Sequence, residues 1–588
     1  LEIEGRGCAM LPRMALPLED YALIGDTQSA ALVGRDGSID WLCWPRFDSD
    51  ACFAALLGEA SHGRWLLAPV GGILKVTRRY RPGTLVLETD YETEDGAVRV
   101  VDCMPPRGAE PDLVRVVQGL KGSVPMRMEL LAHFGYGDRS PWVRFHGDHV
   151  SARAGPDSVA LRTPVTVRRQ GSTLTADFPA DPGSRVPFVL AWHPSHEAPP
   201  RPLDGLAAVE DTETWWKEWS SRLVTTGPWH EPLQRSLITL KALTYSPTGG
   251  IVAAPTTSLP VPSGGPHGDA RFCWLHDATS ALQALLDGGY VEEARAWRDW
   301  LVRAVAGEPD ELQSSYGVAG ERRFPEQELP WLPGYEGTRP VRIGHASRRG
   351  LHTEEVGEVM GSFVEAARRG LPPSGDVWAL QRAMLEHLEG SWLRPAAEAP
   401  SLTYSKVMAW VSVDRALESA AHFGLDAPVE RWKRLRADLH AEVCREGFDS
   451  RRGTFTREYG GRGLDARLLR LARLGFLPAD DARVRGTVEA VERGLGEGDF
   501  VREDDSRGAG VSLVCSFWLV DSLHLLGRRE EAKALFERLL RVRNDVGLLP
   551  EQYDPRQRRM AGHFPHTSSH VALVQTGMGL SRGEALGG

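Results

Sequence analysis

No stretch of the chain approaches the roughly 20 consecutive apolar residues that cross a bilayer as a helix. No C-x-x-C pair occurs either. The seven cysteines (Cys8, Cys43, Cys52, Cys103, Cys273, Cys444 and Cys515) are odd in number and scattered. That is the pattern of reduced thiols in a cytoplasmic protein, not of a disulfide framework. A basic excess is missing as well. Lys and Arg number 69 against 79 Asp and Glu, a formal net charge of -10, which argues against a nucleic-acid partner. With no Walker loop, dinucleotide fingerprint or nucleophile elbow, no cofactor is expected. The first residues lack the charged and apolar regions of a signal peptide. Ile3-Glu4-Gly5-Arg6 instead matches a processing-protease recognition sequence, so residues 1–14 are expected to be an N-terminal extension outside the fold.

What is present changes character once along the 588 residues. From residue 15 to about 226, short β-rich runs such as Ala97-Val98-Arg99-Val100-Val101 and Pro187-Phe188-Val189-Leu190-Ala191-Trp192 alternate with Gly, Pro, Asp and Ser turns. Many short strands at such spacing predict an antiparallel two-sheet sandwich, with a helical connector near 211–223. From 227 to 588 the period becomes helical. Twelve helices are expected, at 231–246, 273–288, 290–306, 352–369, 376–391, 404–424, 428–446, 464–475, 480–494, 511–527, 529–543 and 567–580. In the segment 529–541, Ala532, Leu535, Phe536 and Leu539 share one face. Twelve antiparallel helices can close as six hairpins into an (α/α)6 barrel; without a fixed-period repeat, nothing favours a solenoid. The loop from Gly307 to Leu351 would then crown a central funnel. Eighteen tryptophans are available, and aromatic faces stack on sugar rings, although most tryptophans in any protein are core.

Six words standing in order carry a resemblance. They begin with Asp20-Tyr21-Ala22-Leu23-Ile24-Gly25-Asp26 and the following Gly34-Arg35-Asp36-Gly37-Ser38-Ile39-Asp40-Trp41-Leu42. Next come Ala253-Ala254-Pro255-Thr256-Thr257-Ser258-Leu259-Pro260 and Tyr335-Glu336-Gly337-Thr338-Arg339-Pro340-Val341-Arg342-Ile343-Gly344. Ser405-Lys406-Val407-Met408-Ala409-Trp410, Cys515-Ser516-Phe517-Trp518-Leu519-Val520 and Pro550-Glu551-Gln552-Tyr553-Asp554-Pro555 complete the series. The chain resembles glycoside hydrolase family 15, of the bacterial glucoamylase and trehalase type. The resemblance implies a β-sandwich followed by an (α/α)6 barrel that cleaves an α-glucoside with inversion. Such chemistry takes a protonated carboxyl on one side of the bond and an ionised one on the other, about 6.5–9.5 Å apart. Glu551 matches the family's general base.

The partner acid departs from the family. Its Gly-Ile-Trp-Glu word corresponds here to Gly390-Ser391-Trp392-Leu393, with Leu393 in place of the acid, or else the loop is shortened and Glu398 is the only carboxylic acid on it. Trp-Leu-Arg-Asp-Ala appears as Trp274-Leu275-His276-Asp277-Ala278, the stretch before it is Gly268-Asp269-Ala270-Arg271-Phe272-Cys273, and Glu-Gly-Thr-Phe has become Ala509-Gly510-Val511-Ser512. Glu551 and Glu398 are thus the catalytic candidates. Asp277, Arg271, Trp274, His276, Trp331, Arg342 and Trp410 are the candidates for sugar contact. Two alternatives stay open: a relative that binds a glycan without cleaving it, and a sugar isomerase or lyase using His276 and Tyr404. Glu354, Glu355 and Glu358 read as a polar helix face, Glu326 and Glu328 as solvated loop acids. His566 and His570 have metal-ligand spacing without a companion, and no metal is expected.

Overall fold

Along Val124–Leu131 buried and outward residues alternate: Val124, Met126, Met128 and Leu130 face inward, Pro125 and Arg127 outward. That period of two is what lets a strand cover a core with one face. In the computed structural model, which describes residues 15–225, 227–262, 264–265, 268–305, 312–345, 352–392, 402–505 and 510–585, such strands build two sheets. One runs Tyr21–Gly25, Ala30–Gly34, Ser38–Cys43, Arg64–Pro69, Val124–Leu131, Thr173–Ala180, Arg168–Gln170, with Ala51–Phe53 beside Ser38–Cys43. The other runs Trp142–Phe145, Val150–Ala154, Asp157–Arg162, Arg185–Pro194, Asp112–Gly122, Gly96–Cys103, Leu87–Thr93, Ile73–Tyr80. The architecture is an antiparallel β-sandwich.

One charged pair lies wholly inside it. Arg115, in the second sheet, puts Nε 2.7 Å from Asp102 Oδ1 and donates to the carbonyls of Trp65 and Gly37, both at 2.9 Å. Its guanidinium also lies 5.3 Å from the centre of the Trp65 ring. Every donor direction of the fork that the fold uses therefore points at an acceptor, the condition under which a buried charge is tolerated.

The chain divides into two units. The first comprises Leu1–Arg79, Val86–Thr212 and Glu328–Val341; the second comprises Tyr80–Leu85, Glu213–Gln327 and Arg342–Gly588. The connector is the helix Gly205–Ser220, six residues earlier in its start than the sequence suggests. The segment 328–341, expected on the funnel's crown, instead belongs to the first unit, where Trp331 Nε1 donates to Tyr136 O at 3.1 Å and Tyr335 Oη to Leu16 O at 3.1 Å.

In the second unit the helices alternate between two layers. Leu275–Asp287, Thr353–Arg368, Thr403–Phe423, the 3₁₀ element Ala466–Leu471, Leu513–Leu525 and Thr567–Ala585 each touch the next, and the last returns to the first. His230–Ala242, Val291–Ala304, Gly375–Trp392, Val429–Glu446, Ala482–Leu495 and Arg529–Leu540 pack outside them. This is the (α/α)6 barrel. Position in the ring explains composition: outer Arg529–Leu540 buries only the stripe Ala532, Leu535, Phe536 and Leu539, whereas inner Leu513–Leu525 is buried at eight positions around its circumference. The expected α-helix at 464–475 is only 3₁₀ turns. The Asp465 carboxylate caps them, taking both the Arg467 amide, 2.9 Å, and its guanidinium. Among the described residues no helix is long and apolar enough to cross a membrane.

Replacing Arg115 by Ala strands Asp102 as a buried, unpaired charge and should cost about 3–5 kcal/mol. Arg115→Leu with Asp102→Leu should recover most of that loss. Urea unfolding of the variants measures both; a loss below about 1 kcal/mol for Arg115→Ala contradicts the role given to the pair.

Candidate active site

Each inner element of the barrel is preceded by an outer one running the other way, so all six inner elements are entered from the same end. At that end lies a cavity of about 740 Å³, within the roughly 300–1,000 Å³ of ordinary small-molecule clefts. Every inner element contributes its first turn or the residue before it. Trp274, His276 and Asp277 come from the first, His352, Glu354 and Glu355 from the second, Tyr404 from the third and Arg467 from the fourth. Ser512, Val514, Cys515 and Trp518 come from the fifth, and His566 and Ser568 from the sixth.

Glu551 stands on the wall. It opens a hairpin whose strands Gln552–Asp554 and Arg559–Ala561 turn the chain back on itself. The returning strand clamps it twice: Glu551 N donates to His563 O at 2.9 Å, and His563 N to Glu551 Oε2 at 3.0 Å. Hydrogen bonding to a carboxylate favours its ionised form. Asp277 accepts from Ser568 Oγ and has His566 Nε2 at 3.9 Å. Trp274 presents part of its ring to the cavity, stacked on His345 at 4.8 Å, with Nε1 tied to Asp269 O.

His276 is half-exposed to the cavity, and its Nδ1 lies 2.8 Å from Glu358 Oε2. The negative charge of Glu358 raises the imidazole to about 9 against burial, so His276 is a cation at neutral pH. The position thus keeps the positive charge of the family's Arg without its fork. Burial works to raise Glu358, but His276 and Arg470 overcome it and hold that carboxyl below its ordinary range. Arg470 Nη1 sits 3.3 Å from Glu358 Oε1 and 2.5 Å from Tyr404 Oη. Burial pushes the Tyr404 phenol up, though Arg470 opposes it.

Glu354, Glu355 and Glu358 are therefore not a polar outer face. They lie on the inward side of Thr353–Arg368, with Glu354 between Ser405 Oγ, 2.6 Å, and Arg467 Nη1, 3.0 Å. Two cavity carboxyls are pushed up, chiefly by burial: Glu355, which accepts the His352 amide at 2.9 Å, and Glu503, which Arg467 draws back down. Glu355 is read from sequence only as part of a polar face, and Glu503, Asp504, Arg467, Trp518 and His563 are not named there as site residues. Position is the signal that could find Glu355 and Arg467, since the first turns of every second element must converge once the ring closes.

The remaining candidates lie elsewhere. Arg271 is buried behind Asp269, with Nε 2.9 Å from Oδ1 and Nη2 2.6 Å from Oδ2; it is Asp269 that lines the cavity. Arg342 pairs with Glu326 at 3.1 Å, away from the lining residues, while its backbone is tied to Ser258. Trp410 is core, edge-on to Phe476 at 5.2 Å, and Trp331 belongs to the first unit. Glu398 and Leu393 lie outside the described residues. His570 is structural: Leu549 N donates to Nε2 at 3.2 Å, Nδ1 meets Ser236 Oγ at 3.0 Å, and burial lowers the ring to about 3. With both nitrogens engaged, it has none left for a metal shared with His566.

Residues 227–578 match the family model of glycosyl hydrolases family 15, and residues 5–193 match that of a trehalase-like N-terminal domain. The trehalase of Mycolicibacterium smegmatis is 33% identical over 625 residues, covering 97% of this chain and 92% of that protein. The trehalase of Mycobacterium tuberculosis is 33% identical, covering 97% and 90%, and that of Thermoplasma volcanium 28%, covering 95% and 92%. A solved bacterial glucoamylase complexed with acarbose superposes with a TM-score of 0.70 at 11% identity, covering 99% of this chain and 96% of that one. At that identity the likeness speaks for the fold.

The raised His276 carries a sign that can be measured. Its contribution to stability is complete below the ordinary imidazole value of 6.5 and is lost as pH rises to about 9. The urea midpoint gap between wild type and His276→Gln should therefore narrow between pH 6.5 and 9; a gap independent of pH contradicts the imidazolium–Glu358 pair.

Proposed function

The chain belongs to glycoside hydrolase family 15, and from that premise we propose that it hydrolyses an α-glucosidic bond with inversion at the anomeric carbon, with α,α-trehalose as the substrate. The observation that carries the reading is the setting of Glu551 in the ring. Ser569 Oγ donates to Pro550 O at 2.7 Å and His566 N to Leu549 O at 3.0 Å, which ties Glu551 to the start of Thr567–Ala585. Three stations around the six-membered ring, and so facing it, is the start of Thr403–Phe423. The segment that enters that helix carries Glu398. Inversion needs a second carboxyl across the scissile bond from such a base, and Glu398 precedes that helix in the sequence.

In the proposed reaction, ionised Glu551 takes a proton from a water that attacks the anomeric carbon. Protonated Glu398 gives its proton to the departing glycosidic oxygen, and the first product is β-glucose beside the released sugar. Asp277 accepts from sugar hydroxyls, Trp274 offers an apolar face, and cationic His276 donates through Nε2. Arg271 acts on the substrate only through the Asp269 it holds. The choice of trehalose rests on the full-length likeness to proteins named trehalase, which extends through both units.

A second reading, a glycan binder without hydrolysis, is favoured by one observation: Leu393 occupies the acid's place in the direct alignment of the Gly390-Ser391-Trp392-Leu393 word. The isomerase or lyase reading loses ground. An imidazolium at His276 and a phenol raised and bound by Arg470 at Tyr404 are poorly suited to abstract a proton.

Initial rates on trehalose, maltose, isomaltose, kojibiose, nigerose and soluble starch decide between these. Glu551→Gln and Glu398→Gln should each lower kcat on trehalose by about 10²–10⁴-fold, the usual share of a general acid or base. NMR of the first product should show the β-anomer. Normal turnover in Glu398→Gln removes that residue as the acid. Saturable trehalose binding by calorimetry with no turnover on any sugar establishes the binder.

A further inference from the structure

The hairpin that carries Glu551 pairs Gln552 with Ala561, Tyr553 with Met560 and Asp554 with Arg559. One step further along the same register, Glu551 comes to lie against Gly562. That glycine has φ +71, a left-handed backbone that side chains other than glycine rarely adopt, and its N donates to Pro260 O at 2.7 Å. A Cβ built on it would stand 2.7 Å from Glu551 Oε2, 2.9 Å from its Cβ and 3.2 Å from its Cδ. No real Cβ tolerates the first two distances. The next residue, His563, supplies the amide at 3.0 Å from that same Oε2.

We propose that Gly562 is a positioning residue for Glu551: its bare Cα is the wall against which the carboxylate is set, while the His563 amide holds one oxygen. The inference rests on the reading of Glu551 as the general base, and it says how that base is fixed. With hydrogen at Gly562, the carboxylate rests in contact with the returning strand and takes the amide. With any Cβ there, the carboxylate has to swing away, losing both the charge-assisted hydrogen bond and its aim at the attacking water. Misplacing a catalytic group by about 1 Å is enough to cost on the order of 100-fold in rate.

The test is a cycle of Gly562→Ala and Glu551→Gly, which removes the Cβ as well as the carboxyl of residue 551, in the full chain, read by thermal unfolding and by kinetics on trehalose. Gly562→Ala should lower kcat about 100-fold with KM changed less than about threefold, and should move the acid limb of kcat/KM upward, because the base has lost a donor. Backbone strain at φ +71 affects both backgrounds equally, whereas the clash exists only with Glu551. The Tm penalty of Gly562→Ala should therefore be smaller in the Glu551→Gly background. If Gly562→Ala alone does not fold, the double variant should; failure of both overturns the proposal. Equal Tm penalties in the two backgrounds overturn it as well. Should Glu551→Gln abolish turnover while Gly562→Ala leaves kcat unchanged, the base stands and the positioning role falls. Should Glu551→Gln leave turnover intact, the base reading fails instead, and the Tm cycle still reports on the contact.

Discussion

A ring of helix hairpins can close only if inner and outer helices alternate, and alternation obliges every inner helix to run the same way. The rest of the second unit follows from this. All inner N-termini gather at one mouth, where their free N–H groups and partial positive charge face the cavity. Among the described residues, seven carboxylic acids line that cavity: Asp269, Asp277, Glu354, Glu355, Glu503, Asp504 and Glu551. Several occupy first turns, the location where a helix best tolerates an acid. A site rich in carboxylates suits a neutral, hydroxyl-rich ligand, whose many donors can meet many acceptors. It also sets neighbouring acids in unlike surroundings, since burial pushes Glu355 and Glu503 up while Glu551 accepts the His563 amide.

Cations in this unit are held back rather than offered freely. Arg467 is gripped by Asp465 and Glu354, Arg470 by Glu358 and Tyr404, and Arg271 by Asp269. His276 keeps part of its ring on the cavity while its other nitrogen is anchored to Glu358. The exchange of Arg for His therefore conserves charge but shortens reach and narrows the direction of donation.

The succession of elements was legible in the sequence because period is a local property. Strand alternation at Ser172–Phe178 and the apolar stripe of the segment 529–541 both reappear in the folded chain, at Thr173–Ala180 and Arg529–Leu540. Glu551 was legible from the word around it. The inward side of Thr353–Arg368 was not, because acids at positions 354, 355 and 358 have the spacing of any solvated stripe. Only closure of the ring turns that stripe inward. Trp410 and Trp331 show the converse: an aromatic that sequence marks as a candidate need not line the cavity, and here one fills a core against Phe476 while the other serves the sandwich unit. At 464–475 the helical period was real, but the chain forms only the 3₁₀ turns Ala466–Leu471.

The sandwich unit draws a strip of itself, Glu328–Val341, from the middle of the barrel's sequence. Tyr335 and Trp331 on that strip hydrogen-bond to Leu16 and Tyr136. During synthesis the first two hundred residues thus emerge from the ribosome without a full set of partners. The N-terminal unit can complete its contacts only after residue 341 has been translated, by which time the first barrel helices already exist. The two halves of the chain are therefore bound in the order of their making, and a gene divided between them at residue 226 would deliver a sandwich lacking that strip.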